Sequence, residues 1–345
     1  MKQDAAKRPK QVSAIIPTYN GSSWLPKTVP KVEAALKAAN LEQAEILIID
    51  DGSTDDTVQV AQNLKTSYPL RVVSQKNSGR FMARKKGALE AKYDFTLFVD
   101  TRVFISPGSL KYALDKYDGT KNTQVWNSHV VLDKTGNIYA RFWDAIAYVA
   151  WRKYFANPRD ISYGVDEFDL YPKGTTCFLI PRRVLIDANK WFEKNTKDIN
   201  NSNDDTLLLR RIVEDYNINV SPSFTCLYHA RGNLKQYTKH VFHRGKVFVD
   251  GFLRNDGNRY YKLLIAFLCL SVAVPTLLII RPTLLPYLLI AAAIGWILEL
   301  VLILIIRVPI KDGLSLFLLT PIFSVFYGAG IWKAVLNIYV LKRAR

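Results

Sequence analysis

Short apolar runs separated by longer mixed stretches dominate the first hundred residues. One extends from Val12 to Pro17 and ends at Thr18-Tyr19-Asn20, and another, Ile46-Leu47-Ile48-Ile49, is closed by Asp50-Asp51-Gly52-Ser53-Thr54-Asp55-Asp56-Thr57. Runs this short with almost no polar face are what strands covered by helices on both sides require. Further strands are predicted at Arg71 to Ser74 and Phe95 to Val99, with a helix through Val32 to Ala39. Strands alternating with helices at this spacing predict a doubly wound α/β domain, in which ligands gather where the strands end.

From Lys262 onward the pattern changes. Leu263 to Ile280 is 18 residues without a charge, and Thr283 to Ile306 carries only Glu299. Each is long enough as a helix to cross most of a bilayer core, and the short Arg281-Pro282-Thr283 joint makes them a hairpin. A third apolar stretch, Leu314 to Trp332, is interrupted by Pro321, Gly328 and Gly330. As a full span it would leave the basic tail Lys342-Arg343-Ala344-Arg345 outside, against the positive-inside tendency that the Arg307 to Lys311 loop obeys. As a broken or re-entrant segment it would keep that tail inside. Three such runs in succession argue against buried core helices of a soluble protein. Glu299 within a span points either to a functional contact or to pairing with a neighbouring helix. The expected division is a catalytic domain over 1–256, ending in an interfacial helix at about 234–256, and a membrane region over 257–345 with two or three helices at about 263–280, 283–306 and 314–332.

Charge and cysteine usage narrow the class. A net charge of +17 is compatible with nucleic acid, an anionic membrane surface or phosphorylated substrates. No nucleic-acid motif is present, whereas the bilayer-length runs give the charge a partner in anionic headgroups, so no nucleic-acid partner is expected. Cys177, Cys226 and Cys269 have no CxxC spacing and suit a reducing compartment. Met1 to Lys10 is basic and polar rather than a secretory signal, which predicts a cytoplasmic catalytic domain.

The acidic turn after the second apolar run is the first candidate site. Asp50 and Asp51 can accept hydrogen bonds from a nucleoside, Gly52 allows close backbone approach, and Ser53, Thr54 and Asp55 can cap the next helix. Helix capping alone explains Ser53 to Asp56 but not the two acids ahead of the glycine.

Ile16-Pro17-Thr18-Tyr19-Asn20 followed by Ile49-Asp50-Asp51-Gly52-Ser53-Thr54-Asp55 resembles the paired opening signature of family 2 glycosyltransferases, whose GT-A fold is a Rossmann-like nucleotide-sugar-binding domain. The resemblance implies that Pro17, Tyr19 and Asp51 surround the nucleoside of a nucleotide diphosphate sugar, a UDP-sugar by preference. Asn77-Ser78-Gly79-Arg80-Phe81-Met82-Ala83-Arg84-Lys85-Lys86-Gly87 is similar to the family's Asn-x-Gly-x-x-x-Ala-Arg-Asn-x-Gly, with Lys85 in place of Asn. Arg80 and Arg84 share a helical face and by this resemblance stand near the diphosphate, although a basic run can also be a solvated face.

Asp100-Thr101-Arg102 falls at the family's Asp-x-Asp, which holds a divalent cation on the donor phosphates, and oxygen ligands suit Mg²⁺ or Mn²⁺. Arg102 replaces the second acid. Either Asp100 binds the cation with water and phosphate, or Arg102 itself neutralises part of the diphosphate charge. His229, after a predicted strand at Phe224 to Tyr228, falls where the family has a histidine near the metal; the plainer reading is an ordinary hydrogen-bonded side chain.

Gly174 to Leu185 resembles the Gly-rich strand and Arg-Arg-x-x-Leu that precede the acceptor site, and Asn203-Asp204-Asp205-Thr206-Leu207-Leu208-Leu209-Arg210-Arg211 matches Glu-Asp-x-x-Leu-x-x-Arg. Inversion at the anomeric carbon needs a base opposite the departing diphosphate. The resemblance makes Asp205 that base and Asp204 its orienting neighbour, while spacing alone equally allows an Asp pair capping a helix. Asn233 to Lys246 reads as an amphipathic basic helix similar to the Gln-x-x-Arg-Trp/Tyr-Gly element, with His240 replacing Gln and His243-Arg244 replacing the Arg-aromatic pair. These three would meet the diphosphate, or the helix would lie on lipid headgroups, or both.

With Pro321 and Gly328-Ala329-Gly330 in the membrane region, the chain is most similar to the succinoglycan-biosynthesis-type branch of the family. That implies an inverting hexosyltransferase extending a polyprenyl-diphosphate-linked glycan in polysaccharide or cell-envelope synthesis, multi-pass in the cell membrane. A polyprenyl-phosphate sugar synthase, a processive polymer synthase and a catalytically inactive scaffold are the alternatives. The first needs no strong base, the second usually a longer channel and an intact Gln-x-x-Arg-Trp, and the third is permitted by the altered motifs.

Overall fold

Strands Gln11–Thr18 (β1) and Gln43–Asp50 (β2) bury apolar side chains on both faces, so neither can lie at a solvated surface. Their covers follow from the next elements of a computed structural model, which describes residues 8–196, 204–252 and 259–340. Leu25–Ala38 (α1) buries Leu25, Val29, Val32 and Leu36, which recur at helical spacing. Thr57–Asn63 (α2) precedes Leu70–Ser74 (β3), and Arg80–Glu90 (α3) precedes Phe95–Val99 (β4). The pairs β1 with β2, β1 with β4 and β2 with β3 are all parallel, and the registers Thr18↔Asp50 and Asp50↔Ser74 bring three strand ends level.

The remaining strands extend this half. In chain order come Val103–Ile105 (β5), Pro107–Asp115 (α4), Val125–Leu132 (β6), Ile138–Ala150 (α5), Arg152–Phe155 (α6) and Ile161–Tyr163 (β7). Cys177–Pro181 (β8), Arg182–Asn195 (α7), Asp204–Val213 (α8) and Ile218–Tyr228 (β9) complete it. Among the described residues nine strands form one mixed sheet in the order β3-β2-β1-β4-β8-β6-β9-β5, with β7 on β9. β8 enters antiparallel beside β4, so the sheet is parallel where the first strand ends gather and mixed beyond.

Leu234–Phe252 (α9), Arg259–Ile280 (α10), Leu285–Ile306 (α11) and Ile310–Val335 (α12) follow. The chain divides into two compact units. Among the described residues the first takes in 8–133, 151–196 and 204–230, and the second 134–150, 231–252 and 259–340. The second unit thus claims α5 and α9, which lie on the N-terminal side of the compositional boundary at residue 256. The reason is packing, because Phe142 and Ala145 of α5 and Tyr237 and Val241 of α9 share a core with Leu316 and Leu319 of α12. Three helices among the described residues are long and apolar enough to cross a membrane: Tyr261–Ile280, Pro282–Ile306 and Ile310–Ile338. These are the three runs anticipated from the sequence.

Candidate active site

The turn after β2 is built first. Gly52 has a φ of 71°, and a Cβ there would stand 2.6 Å from the Asn77 amide nitrogen, so glycine is required on both counts. The buried carboxylate of Asp51 accepts hydrogen bonds from Gln75 Nε2 at 2.7 Å and from the amides of Ser78 and Gly79 at 2.9 Å. It thereby ties the end of β2 to the loop that opens α3, and any nucleoside contact by Asp51 adds to that task. Asp50 is buried too, and its Oδ1 accepts the Ser53 amide at 3.1 Å. Pro17 sits in β1 opposite Ile49, its carbonyl accepting the Thr101 hydroxyl at 2.8 Å, and Tyr19 just beyond is 51% exposed.

Arg84 is the junction of the cleft. From the fifth residue of α3 its buried side chain reaches two acids that lie far apart in sequence. Nη2 donates to both oxygens of Asp100, at 2.8 and 3.1 Å, and Nη1 donates to Asp205 Oδ1 at 3.2 Å. A planar fork with fixed donors suits such a double contact as no ammonium could. Thr175 also donates its hydroxyl to Asp205 Oδ1. Burial in the cleft pushes the Asp100 carboxyl above its ordinary range; Arg84 and Arg80 pull it down, and the nearby Asp205 adds to the rise. Arg80 therefore acts on the same carboxylate. Asp204 opens α8, but its side chain lies outside the described residues.

A second cluster holds the position where the Asp-x-Asp resemblance fails. The Arg102 guanidinium lies over the Trp24 ring, 4.9 Å from its centroid. His229 donates its amide to the Arg102 carbonyl at 3.0 Å, and its ring packs 5.2 Å from Trp24 and 4.4 Å from Phe104. Its Nδ1 lies 2.9 Å from Asp133 Oδ2, while Nε2 is buried without a hydrogen-bond partner. A carboxylate on Nδ1 leaves the lone pair on Nε2, the tautomer a metal ligand uses.

Among the described residues no three His, Cys, Asp or Glu side chains gather into a metal-binding group. Asp100, whose two oxygens accept from Arg84, and His229, whose Nε2 has no hydrogen-bond partner, carry donor atoms of the types that metal ions accept, but they belong to the two separate clusters just described.

The structure therefore joins Arg84, Asp100 and Asp205 directly, and joins Arg102 with His229 through Trp24 and the backbone. His240, His243 and Arg244 belong to α9 in the second unit, where His240 packs 5.1 Å from Trp143 and the Arg244 guanidinium lies 4.9 Å over the same ring. Thr175, Trp24 and Asp133 were not singled out by sequence reasoning. Thr175 carried a weak signal, standing next to Gly174 in the acceptor-side segment; Trp24 and Asp133 carried none.

A family model described as "Glycosyl transferase family 2" matches residues 13–188. Chondroitin synthase of Escherichia coli is 31% identical over 134 residues, which is 38% of this chain and 19% of that protein. Dolichol-phosphate mannosyltransferase of Pyrococcus furiosus is 36% identical over 91 residues, 26% of this chain and 25% of that one. Undecaprenyl-phosphate 4-deoxy-4-formamido-L-arabinose transferase of Pseudomonas savastanoi is 34% identical over 94 residues, 26% of this chain and 28% of that one. The matched region is thus less than a third of each relative's length. Among solved structures, S. aureus TarS 1–349 in complex with UDP-GlcNAc aligns over 74% of this chain and 70% of that one, with a TM-score of 0.49 and 17% identity.

Proposed function

We propose that this chain, which belongs to glycosyl transferase family 2 and has a GT-A catalytic fold, is an inverting enzyme that moves a sugar from a UDP-sugar onto a polyprenyl-diphosphate-linked glycan. That it is a glycosyltransferase follows from the family; inversion, donor and acceptor are our reading. The reading rests on one observation, that Arg84 reaches Asp100 and Asp205 at once. A carboxylate suited to be a base then lies one guanidinium away from a carboxylate suited to face a leaving diphosphate.

In this reading Pro17, Tyr19 and Asp51 surround the nucleoside, and Arg80, Arg84 and Arg102 offset the diphosphate charge. Asp205 removes the proton of an acceptor hydroxyl as that oxygen bonds to the anomeric carbon. The bond from that carbon to the diphosphate breaks with its electron pair leaving on UDP, and the configuration inverts. Thr175 and Arg84 hold one carboxylate oxygen of Asp205 and so fix its orientation, with Asp204 as the neighbour that positions the acceptor. Enzymes of this family typically use a divalent cation; Asp100 would hold it here, with His229 as the further ligand the family resemblance implies, and it would screen the leaving diphosphate. We place the enzyme in the cell membrane as a multi-pass protein with its catalytic unit in the cytoplasm.

A polyprenyl phosphate acceptor is the second reading, favoured by relatives whose names carry dolichol phosphate and undecaprenyl phosphate. Such a phosphate is already ionised, so a carboxylate held as Asp205 is would have no proton to remove. The test is incubation of the purified chain with a panel of nucleotide sugars and extracted lipids, with and without Mn²⁺ or Mg²⁺, followed by mass analysis. The expected product is a lipid-linked glycan longer by one sugar, and Asp205→Asn should lower kcat by about 10²–10⁴-fold. A product bearing one sugar on a lipid monophosphate, made equally well by Asp205→Asn, would replace this reading with the second.

A further inference from the structure

Within the second unit, both ends of α12 are held short of the turn that joins α10 and α11. Helices α10 and α11 are each 22 residues long and meet in the tight Pro282–Leu284 turn, so α10 enters the membrane on the side where α11 leaves it. At 1.5 Å per residue each is about 33 Å long, one bilayer core. If α12 crossed as well, Trp332, 22 residues beyond Ile310, would lie about 33 Å deep, next to the turn. Its contacts are elsewhere. Trp332 Nε1 donates to Ser271 Oγ at 3.0 Å, at the middle of the charge-free stretch Leu263 to Ile280, and Gly328 lies against the Phe267 ring in the first half of α10, both well short of the turn.

The other end is held on the same side. Trp296 Nε1 donates to the Phe317 carbonyl at 2.8 Å and Thr320 Oγ1 to Glu299 Oε1 at 2.6 Å, which sets the first half of α12 beside the second half of α11. The buried Asp312 accepts Lys134 Nζ at 2.8 Å and Arg141 Nη1 at 2.9 Å. Both donors come from the segment that joins directly to the first unit at residues 133 and 151. Farther along, Gly330 meets the α9 backbone at Phe242, in a helix carrying Lys239, Arg244 and Lys246. Polar and cationic partners therefore accompany α12 from its start to its last turns.

We propose that α12 does not cross the bilayer but lies within the leaflet from which α10 enters, as the floor of a platform completed by α5 and α9, and that its partner is an anionic lipid surface. Ile310, Leu314, Leu318, Val325 and Leu336 are exposed and fall on one helical stripe, opposite the face that buries Asp312, Leu316 and Gly330. That is the division an in-plane helix needs, with one face to acyl chains and the other to protein. Lys311 and Lys333, exposed near the two ends, would both reach headgroups on the same side. The chain then has two crossings.

Single cysteines in the full-length chain test this, in a Cys269→Ser background because Cys177 and Cys226 are buried. Lys235→Cys, Lys311→Cys, Lys333→Cys and Arg281→Cys are labelled with a membrane-impermeant maleimide in sealed vesicles, before and after lysis. The first three should be labelled from one side and Arg281→Cys from the other. Labelling of Lys333→Cys from the side of Arg281→Cys would mean three crossings and overturn the proposal. Failure of Lys333→Cys to label even after lysis would overturn it too, since it puts that position in the acyl interior. So would all four on one side, because the hairpin would then not cross.

Discussion

At the scale of single residues, Arg84 is where binding and base chemistry would meet in the proposed reaction, because one guanidinium compensates two carboxylates that would otherwise repel each other. Asp100 already titrates above the ordinary aspartate range, pushed up by burial and by Asp205 against the pull of Arg84. Arg84→Met removes that pull, so the Asp100 carboxyl ionises at still higher pH. The acid limb of the kcat/KM profile should move upward and activity near neutrality should fall. Arg84→Lys restores the charge without the fork and should recover the position of the limb more than the rate. A limb that stays put in Arg84→Met would mean that neither acid titrates in the working range. Motif matching could locate Asp100, Asp205 and Arg84 one at a time, because each is announced by its neighbours in sequence. It could not announce Thr175 as a second donor to Asp205, since that contact bridges 30 residues and depends on how β8 leads into α7 and on where α8 begins.

At the scale of elements, the least yielding contact in the second unit is the crossing of α9 and α12. A Cβ on Gly330 would stand 2.2 Å from the Phe242 carbonyl oxygen, and one on Gly245 equally close to that of Tyr327. Backbone against backbone cannot be relieved by a rotamer change, so Gly330→Ala must push the helices apart. Overpacking of this kind costs about 1–3 kcal/mol and should lower the detergent-solubilised protein's Tm by several degrees. Gly295→Ala on α11, where nothing lies within 4 Å, is the matched control and should be neutral or slightly stabilising. In the sequence Gly328 and Gly330 look like interruptions of an apolar run, because glycine weakens a helix by propensity. Tertiary approach decides otherwise, and α12 runs unbroken from Ile310 to Val335 through both of them and through Pro321. Strands β1, β2 and β4, by contrast, were legible to within a few residues, because a strand buried on both faces must be mostly apolar.

At the scale of the whole molecule, composition and packing place the division of the chain differently, and the difference has a measurable consequence. Composition changes near residue 256, where charged and mixed sequence gives way to lipid-soluble runs. Hydropathy along the chain records what a segment contains, not what covers it. The aromatic side of α5, with Phe142 and Trp143, reads as catalytic-domain core until its partners are known to be Tyr237 of α9 and Phe323 of α12. A fragment cut at residue 256 keeps α5 and α9 but loses α12, uncovering this aromatic cluster and removing Asp312, which now pairs with Arg141 and, alongside Asp144, with Lys134. Apolar surface flanked by cations binds membranes or other copies of itself. The 1–256 fragment should therefore float with anionic vesicles and elute as aggregates without detergent, although none of its described helices is both long and apolar enough to cross a membrane. Flotation should weaken at high salt, since cation attraction to headgroups is screened, but not vanish, because the aromatic face remains. A fragment that eluted as a single monodisperse monomer in plain buffer and ignored vesicles would show that α5 and α9 can close on each other without α12, and the compositional boundary would then be the physical one.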